Sequence, residues 1–310
     1  MKVRKILLTT DFSACSTRIF RPAADLARRM EASIELANCM EYPSQFTPSG
    51  FLDVSGSQDN LRRLHRRNLE QAAADPAFKG LPLTPHFLEG DGPETVHEFA
   101  RTIGADLIVQ ATHGLTGVKR WVLGSFAERI LRISSVPVLT FKSAEDARIA
   151  PPKAFRPRRI LFPYDYSKAA RAALEPLKFL AETYHARVLV LHAWRNPVEL
   201  LPIYGAEGMA VDIDMVARNK DFLLHLTNDL RQFAGKELDG LEHEEEVVVG
   251  DPASVILTRA ADGKADLICM STHGWTGLKK MFLGSVAEKV LRGAPCPTWV
   301  VRTPHSKLKS

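Results

Sequence analysis

The stretch Ala105-Asp106-Leu107-Ile108-Val109-Gln110-Ala111-Thr112-His113-Gly114 returns later in the chain as Ala265-Asp266-Leu267-Ile268-Cys269-Met270-Ser271-Thr272-His273-Gly274. Each copy opens on a short apolar run of strand length and closes on a turn with a glycine. The repetition extends outward at the same offset of 160. Leu123-Gly124-Ser125 answers Leu283-Gly284-Ser285, Ala127-Glu128 answers Ala287-Glu288, and Leu131-Arg132 answers Leu291-Arg292. Near the front, Lys5-Ile6-Leu7 and Asp11 answer Arg159-Ile160-Leu161 and Asp165 at an offset of 154. The second copy is therefore six residues longer between its early strands and Gly250. The chain is one domain written twice.

Within each copy, β-branched runs alternate with longer amphipathic stretches. Strands are expected near 3–9, 34–40, 84–89, 106–111 and 136–141, and helices near 14–30, 58–74, 93–103 and 125–133. The second copy repeats the strands near 159–163, 187–193, 245–249, 266–270 and 297–301. Such alternation implies βαβ units, hence an α/β fold of two tandem doubly wound, five-stranded parallel-sheet domains, Rossmann-like in layout. Pro22 and Pro176 lie eleven residues after the two aspartates, and the first helix is expected to kink or break there. The connector Lys142–Pro157 holds Pro151, Pro152 and Pro157 among charges and alanines. It places domain one at 1–144, a semi-rigid linker at 145–157 and domain two at 158–310.

Composition narrows the function classes. The 310 residues are 45% hydrophobic and 25% charged, which excludes a disordered or fibrous chain. No apolar run reaches the length of a membrane-spanning helix, and the basic N-terminus leads into an apolar stretch too short for a signal peptide. Cys15, Cys39, Cys269 and Cys296 lack metal or redox spacing and fit a reducing compartment, so the cytoplasm is expected. The net charge of +5 is a weak pointer to an anionic partner. The clusters Arg62, Arg63, Arg66, Arg67 and Arg156, Arg158, Arg159 have no interleaved aromatics, which argues against nucleic acid and for solvated faces. His243-Glu244-Glu245-Glu246 enters a strand, where consecutive side chains alternate faces and do not converge on one metal ion.

Ligands of open parallel sheets bind at the carboxyl ends of the strands, where the strand order reverses. Two segments meet there in each copy. One follows the first strand, Thr9-Thr10-Asp11-Phe12-Ser13 or Pro163-Tyr164-Asp165-Tyr166-Ser167. The other follows the fourth: Ala111-Thr112-His113-Gly114, nine residues, then Gly124-Ser125, against Ser271-Thr272-His273-Gly274, nine residues, then Gly284-Ser285. Gly124 and Gly284 allow close backbone approach, and Ser125 and Ser285 open a helix whose first amides lack partners and attract anions. Ser125-x-x-Glu128 and Ser285-x-x-Glu288 also read as capping boxes, which need no ligand. Both readings stand at this level. Lys119, Arg120, Lys279 and Lys280 in the nine-residue loop either pair with phosphate or form a solvated face.

The pattern Gly-x-x-Gly, nine residues, Gly-Ser, with an Asp after the first strand, resembles that of the nucleotide-binding universal stress proteins. The likeness covers nearly the whole chain, as a tandem pair. It implies an adenine nucleotide alpha hydrolase-like fold that binds ATP, with or without Mg2+, in a stress-response regulatory protein rather than an enzyme. By that resemblance adenine contacts fall on Asp11, Cys39, Asp165 and Ala193. Ribose and phosphate contacts fall on Gly114, Gly124, Ser125 and Phe126, then on Gly274, Gly284, Ser285 and Val286. His113 and His273 sit beside the phosphates as hydrogen-bonding loop residues. The family's first Gly is Ala111 in copy one and Ser271 in copy two, which implies weakened binding. Copy two keeps the family's Pro as Pro163, where copy one has Thr9. The resemblance also implies pairing of the two domains through their last strands, a homodimer, and an unidentified protein partner. A scaffold with decayed sites and a slow ATP hydrolase are the other readings. No Gly-x-x-x-x-Gly-Lys-Ser/Thr loop, dinucleotide fingerprint, kinase motif or nucleophile elbow occurs, which argues against a dedicated enzyme.

Overall fold

The computed structural model describes residues 1–41, 55–112, 123–142, 154–195, 213–272 and 283–302. The chain forms two compact units, one built on Met1–Phe155 with the segment from Pro297, the other on Arg156–Leu278 and Gly284–Cys296.

In the first unit, β1 (Lys5–Thr9), β2 (Ser33–Glu41), β3 (Leu83–Gly90), β4 (Leu107–Ala111) and β5 (Val138–Phe141) alternate with α1 (Ala14–Thr17), α2 (Phe20–Met30), α3 (Ser55–Ala73), α4 (Pro93–Thr102) and α5 (Ser125–Ile133). The five strands are parallel in the order β3-β2-β1-β4-β5, which reverses between β1 and β4. Also in this unit, β10 (Thr298–Val301) runs antiparallel to β5, with Trp299 opposite Leu139. The second unit holds β6 (Arg159–Pro163), α6 (Lys168–Ala172), α7 (Leu174–Tyr184), β7 (Arg187–Trp194), α8 (Ile213–Glu237), β8 (His243–Val249), α9 (Pro252–Arg259), β9 (Leu267–Ser271) and α10 (Ser285–Gly293). Its strands are parallel in the order β9-β6-β7-β8.

Parallel strands covered on both faces are apolar throughout. Ile6, Leu7 and Leu8 of β1 and Leu107, Ile108 and Val109 of β4 are all fully buried, as are Ile160–Phe162 and Leu267–Cys269. The repeated Ala-Asp-Leu-Ile motif has a structural cause. Asp106 Oδ2 accepts from the backbone amides of Arg4 (2.8 Å) and Lys5 (3.0 Å). Asp266 Oδ2 does the same for Arg158 and Arg159, at 3.0 Å each. The aspartate before one central strand thus holds the start of its neighbour.

The first helix does break in each copy, but ahead of the proline. α1 ends at Thr17, and α2 starts at Phe20 with Ile19 as its N-cap. Pro22 is the third residue of α2, and the next residue, Ala23, makes the first amide bond of that helix, to the Ile19 carbonyl at 2.9 Å. In copy two, Ala173 ends α6 and begins α7, with Pro176 third and Leu177 making the first bond. First-turn amides have no intrahelical partner, so proline's missing N–H costs nothing there.

Candidate functional site

The strand ends assemble one cavity in each unit. In the first, about 410 Å³ is lined by Thr9, Thr10 and Asp11 after β1, Ala37–Glu41 of β2, Ala111 and Thr112 after β4, Val96 of α4, and Gly124–Ala127 at the start of α5. Ser16, Leu61 and His65 complete it. In the second, about 260 Å³ is lined by Pro163–Asp165, Ala170, Leu191, Ala193, Pro252, Ile256, Met270–Thr272 and Gly284–Ala287. Asp11, Cys39, Ala111, Gly124, Ser125 and Phe126 are thus brought together in one, and Pro163, Asp165, Ala193, Ser271, Gly284, Ser285 and Val286 in the other. His113, Gly114, His273 and Gly274, with Lys119, Arg120, Lys279 and Lys280, lie outside the described residues.

The helix end is built differently from a capping box. The N-cap is Gly124, with φ −58° and ψ 143°, and Gly284 takes the same role with φ −60° and ψ 145°. Neither end has a side-chain cap. The glycine amide donates back to the strand-end carbonyl, Gly124 to Thr112 at 2.7 Å and Gly284 to Thr272 at 2.9 Å. Its carbonyl then accepts the first helical bond, from Glu128 or Glu288, both at 2.9 Å. Ser125 and Ser285 are therefore the first helical residues, exposed, one position too late to cap. The glutamates turn along the helix to Arg132 (2.5 Å) and Arg292 (2.9 Å). A helix opened by glycine presents its first-turn amides without a competing side-chain acceptor, and an anion there gains roughly 0.3–1 kcal/mol from the dipole.

The Asp loop is held open by its own chemistry. Asp11 Oδ1 accepts from Ser13 N and Asp165 Oδ1 from Ser167 N, both at 3.0 Å. Between them Phe12 and Tyr166 are left-handed, each with φ 62°. A bulky residue in that region costs on the order of 1–3 kcal/mol, which the surrounding bonds must offset. Ser13 then caps α1 through Ser16 N (3.2 Å), and Ser167 caps α6 through Ala170 N (3.0 Å).

Sequence reasoning did not single out Asn38 or His65. Asn38 is 3% exposed in the middle of an apolar strand, and that polar interruption is the signal that marks it. His65 sits in the arginine-rich α3, and nothing in the sequence separates it from its neighbours. Burial lowers its pKa below the ordinary histidine value. Burial also pushes the Cys39 thiol up to about 11, against an opposing hydrogen bond from the Gly92 amide and with smaller contributions from Glu41 and Asp91. Cys39 is therefore a neutral thiol at physiological pH. Among the described residues no group of three His, Cys, Asp or Glu side chains could hold a metal. On β8, Glu244 reaches Arg187 (3.0 Å), while Glu246 pairs with Arg259 (2.7 Å) and His243 with Glu245 (3.3 Å). No helix among the described residues is long and apolar enough to cross a membrane.

The model of the universal stress protein family matches residues 2–142 and again 157–302. A universal stress protein of Thermus aquaticus is 35% identical over 146 residues, covering 47% of this chain and 98% of that protein. One from Methanocaldococcus jannaschii is 32% identical over 158 residues, covering 48% of this chain and 85% of its own length. The crystal structure of a universal stress protein from Archaeoglobus fulgidus shares the fold, with a TM-score of 0.67 and 21% identity over 97% of this chain and 99% of that one. Two family matches in succession account for the internal repeat, and the chain belongs to the universal stress protein family as a tandem member.

Proposed function

We propose that the protein binds an adenine nucleotide, ATP with or without Mg2+, at the carboxyl ends of its parallel strands, and that occupancy regulates its contacts with a protein partner in a stress response. One observation carries this reading. Segments remote in sequence, the Asp loop, the end of β2, the end of β4 and the glycine-opened helix, line a single cavity in each unit. The reading assigns the end beside Asp11 and Cys39, or Asp165 and Ala193, to the base. The amides of Ser125 and Phe126, or Ser285 and Val286, take the phosphates together with Gly114, His113, Gly274 and His273. It includes domains at 1–144 and 158–310 joined by 145–157, paired through their last strands, a homodimeric chain, and residence in the cytoplasm. No residue is assigned a catalytic role.

A second reading, an interaction scaffold with decayed sites, draws on one observation. Ala111 and Ser271 line the cavities where the family's pattern has glycine, and each adds a Cβ. Heat extraction of freshly purified protein followed by chromatography, then calorimetric titration with Mg-ATP, separates the two. Adenine nucleotide that is lost on Gly124→Val or Gly284→Val is expected. Both glycines have backbone angles open to any residue, so lost binding reports lost approach rather than a barred conformation. No nucleotide and no heat up to millimolar ATP would leave the scaffold.

A further inference from the structure

The two cavities share their strand ends and their glycine-opened helix, but they differ on the side of the sheet's second helix. The first continues over the end of β2 to α3, where Asn38, Leu61 and His65 line it. The second is the smaller, and among the described residues none of α8 lines it. Equivalent positions differ on this side. Thr10, Phe12 and Asn38 of copy one are Tyr164, Tyr166 and His192 in copy two, all at the offset of 154.

In the first unit these positions form a small polar set. Asn38 Nδ2 donates to the Thr10 carbonyl (2.8 Å), and Thr10 Oγ1 lies 3.0 Å from Ser16 Oγ. In the second they form an aromatic cluster. Tyr164 is buried and stacks nearly parallel on Phe233 of α8, with ring centres 3.9 Å apart. The Tyr166 hydroxyl donates to the Leu226 carbonyl of α8 (3.3 Å), and its ring stands edge-on to His192 at 5.0 Å. His192 Nδ1 donates to the Tyr164 carbonyl at 2.8 Å, the bond that Asn38 makes in copy one. Larger side chains, Tyr164 and Tyr166 of them tied to α8, thus stand where copy one has Thr10, Phe12 and Asn38. On the opposite wall Ile256 stands where copy one has Val96, and Pro252 where it has Gly92.

We infer that the chain is a one-site nucleotide binder: the first unit takes the nucleotide, and in the second the cluster of Tyr164, Tyr166 and His192 shuts the cavity off on the side of α8, leaving too little room beside Asp165 and Ala193 for a nucleotide. This rests on the adenine-nucleotide reading above. A site about 410 Å³ in volume falls within the usual range for small-molecule pockets, and one of about 260 Å³ falls below it.

Cys39 is a built-in reporter, because it lines the first cavity and its counterpart in the second is Ala193. The full chain is titrated calorimetrically with Mg-ATP, and alkylation of Cys39 by iodoacetamide at pH 9 is followed by peptide mass spectrometry with and without saturating nucleotide. The expected result is one nucleotide per chain, at least tenfold slower Cys39 labelling, and loss of the titration on Gly124→Val. Two nucleotides per chain, or one bound with Cys39 labelling unchanged, would overturn the inference and leave the nucleotide reading intact. Absence of any binding would overturn that reading and the inference with it. The protection measurement uses the unmodified protein, so it decides the question even where Gly124→Val fails to fold.

Discussion

His65 Nδ1 lies 2.7 Å from Asn38 Oδ1, and the chemistry of Asn38 settles which atom donates. Its amide nitrogen faces the Thr10 carbonyl, which only accepts, so the side-chain oxygen is left to accept from the imidazole. His65 is thereby held with its proton on Nδ1, and its Nε2 is an acceptor while the ring is neutral.

That arrangement has a pH consequence. Burial lowers the His65 pKa from 6.5, so between the folded and unfolded values the unfolded chain binds more protons. Stability from this residue is present above pH 6.5 and lost as pH falls through that window. His65→Gln, which keeps a donor but cannot titrate, is expected to remove this part of the slope. Urea unfolding of both proteins between pH 5 and 8 measures it, and parallel curves would refute it. Taking the difference cancels His97, whose pKa burial also lowers.

Asp106 holds two backbone amides at the entry to β1. Asp106→Ala should cost roughly 1–3 kcal/mol, since a charged acceptor is lost to two donors. Asp266→Ala should match it, because the bonds are the same. Chemical denaturation monitored by circular dichroism tests both. A cost below about 0.5 kcal/mol would mean that water replaces the carboxylate without loss.

Thr140 is 2% exposed, and its hydroxyl has no hydrogen-bond partner among the described residues. The equivalent residue of copy two is Val300. Replacing a buried, unpaired hydroxyl by a methyl of similar shape is expected to stabilise the fold by about 1 kcal/mol. The measurement is the urea midpoint of Thr140→Val at unchanged slope. A lower midpoint would show that the hydroxyl is satisfied in solution.

Glu31 and His185 end α2 and α7 in the left-handed region, with φ 52° and 51°, and both side chains are exposed. Glycine relieves that strain at the usual place for it. Glu31→Gly and His185→Gly should each add about 0.5–1 kcal/mol, because relief of the strain exceeds the added freedom of the unfolded chain. Thermal unfolding of the single and double variants checks both the sign and the additivity expected of separate sites.

The strand-helix alternation, the repeat and the strand-end location of the candidate site are legible in the residues alone. They depend on local periodicity and on a topology rule for parallel sheets. That is how Asp11 and Gly124, with their counterparts Asp165 and Gly284, are picked out, and all four line the cavities. Asn38 and His65 are not picked out, because their partnership crosses from β2 to α3 and no spacing along the chain encodes it.

Two local readings changed for reasons of geometry. Ser125-x-x-Glu128 satisfies the spacing of a capping box, but the turn of the backbone falls one residue earlier, at Gly124, and Arg132 draws the glutamate away. Pro22 signals a helix break, yet the break precedes it, since a proline is accommodated within a first turn. In both cases the residue types announced the feature, and only the path of the backbone decided its register.

By itself the sequence determined that two α/β domains of one kind lie in succession, since periodicity and repetition are properties of neighbours along the chain. The tertiary structure alone decided that the two cavities differ. One is lined by Thr10 and Asn38 where the other has Tyr164, and side-chain volume takes on meaning for a cavity only once remote segments are packed against each other.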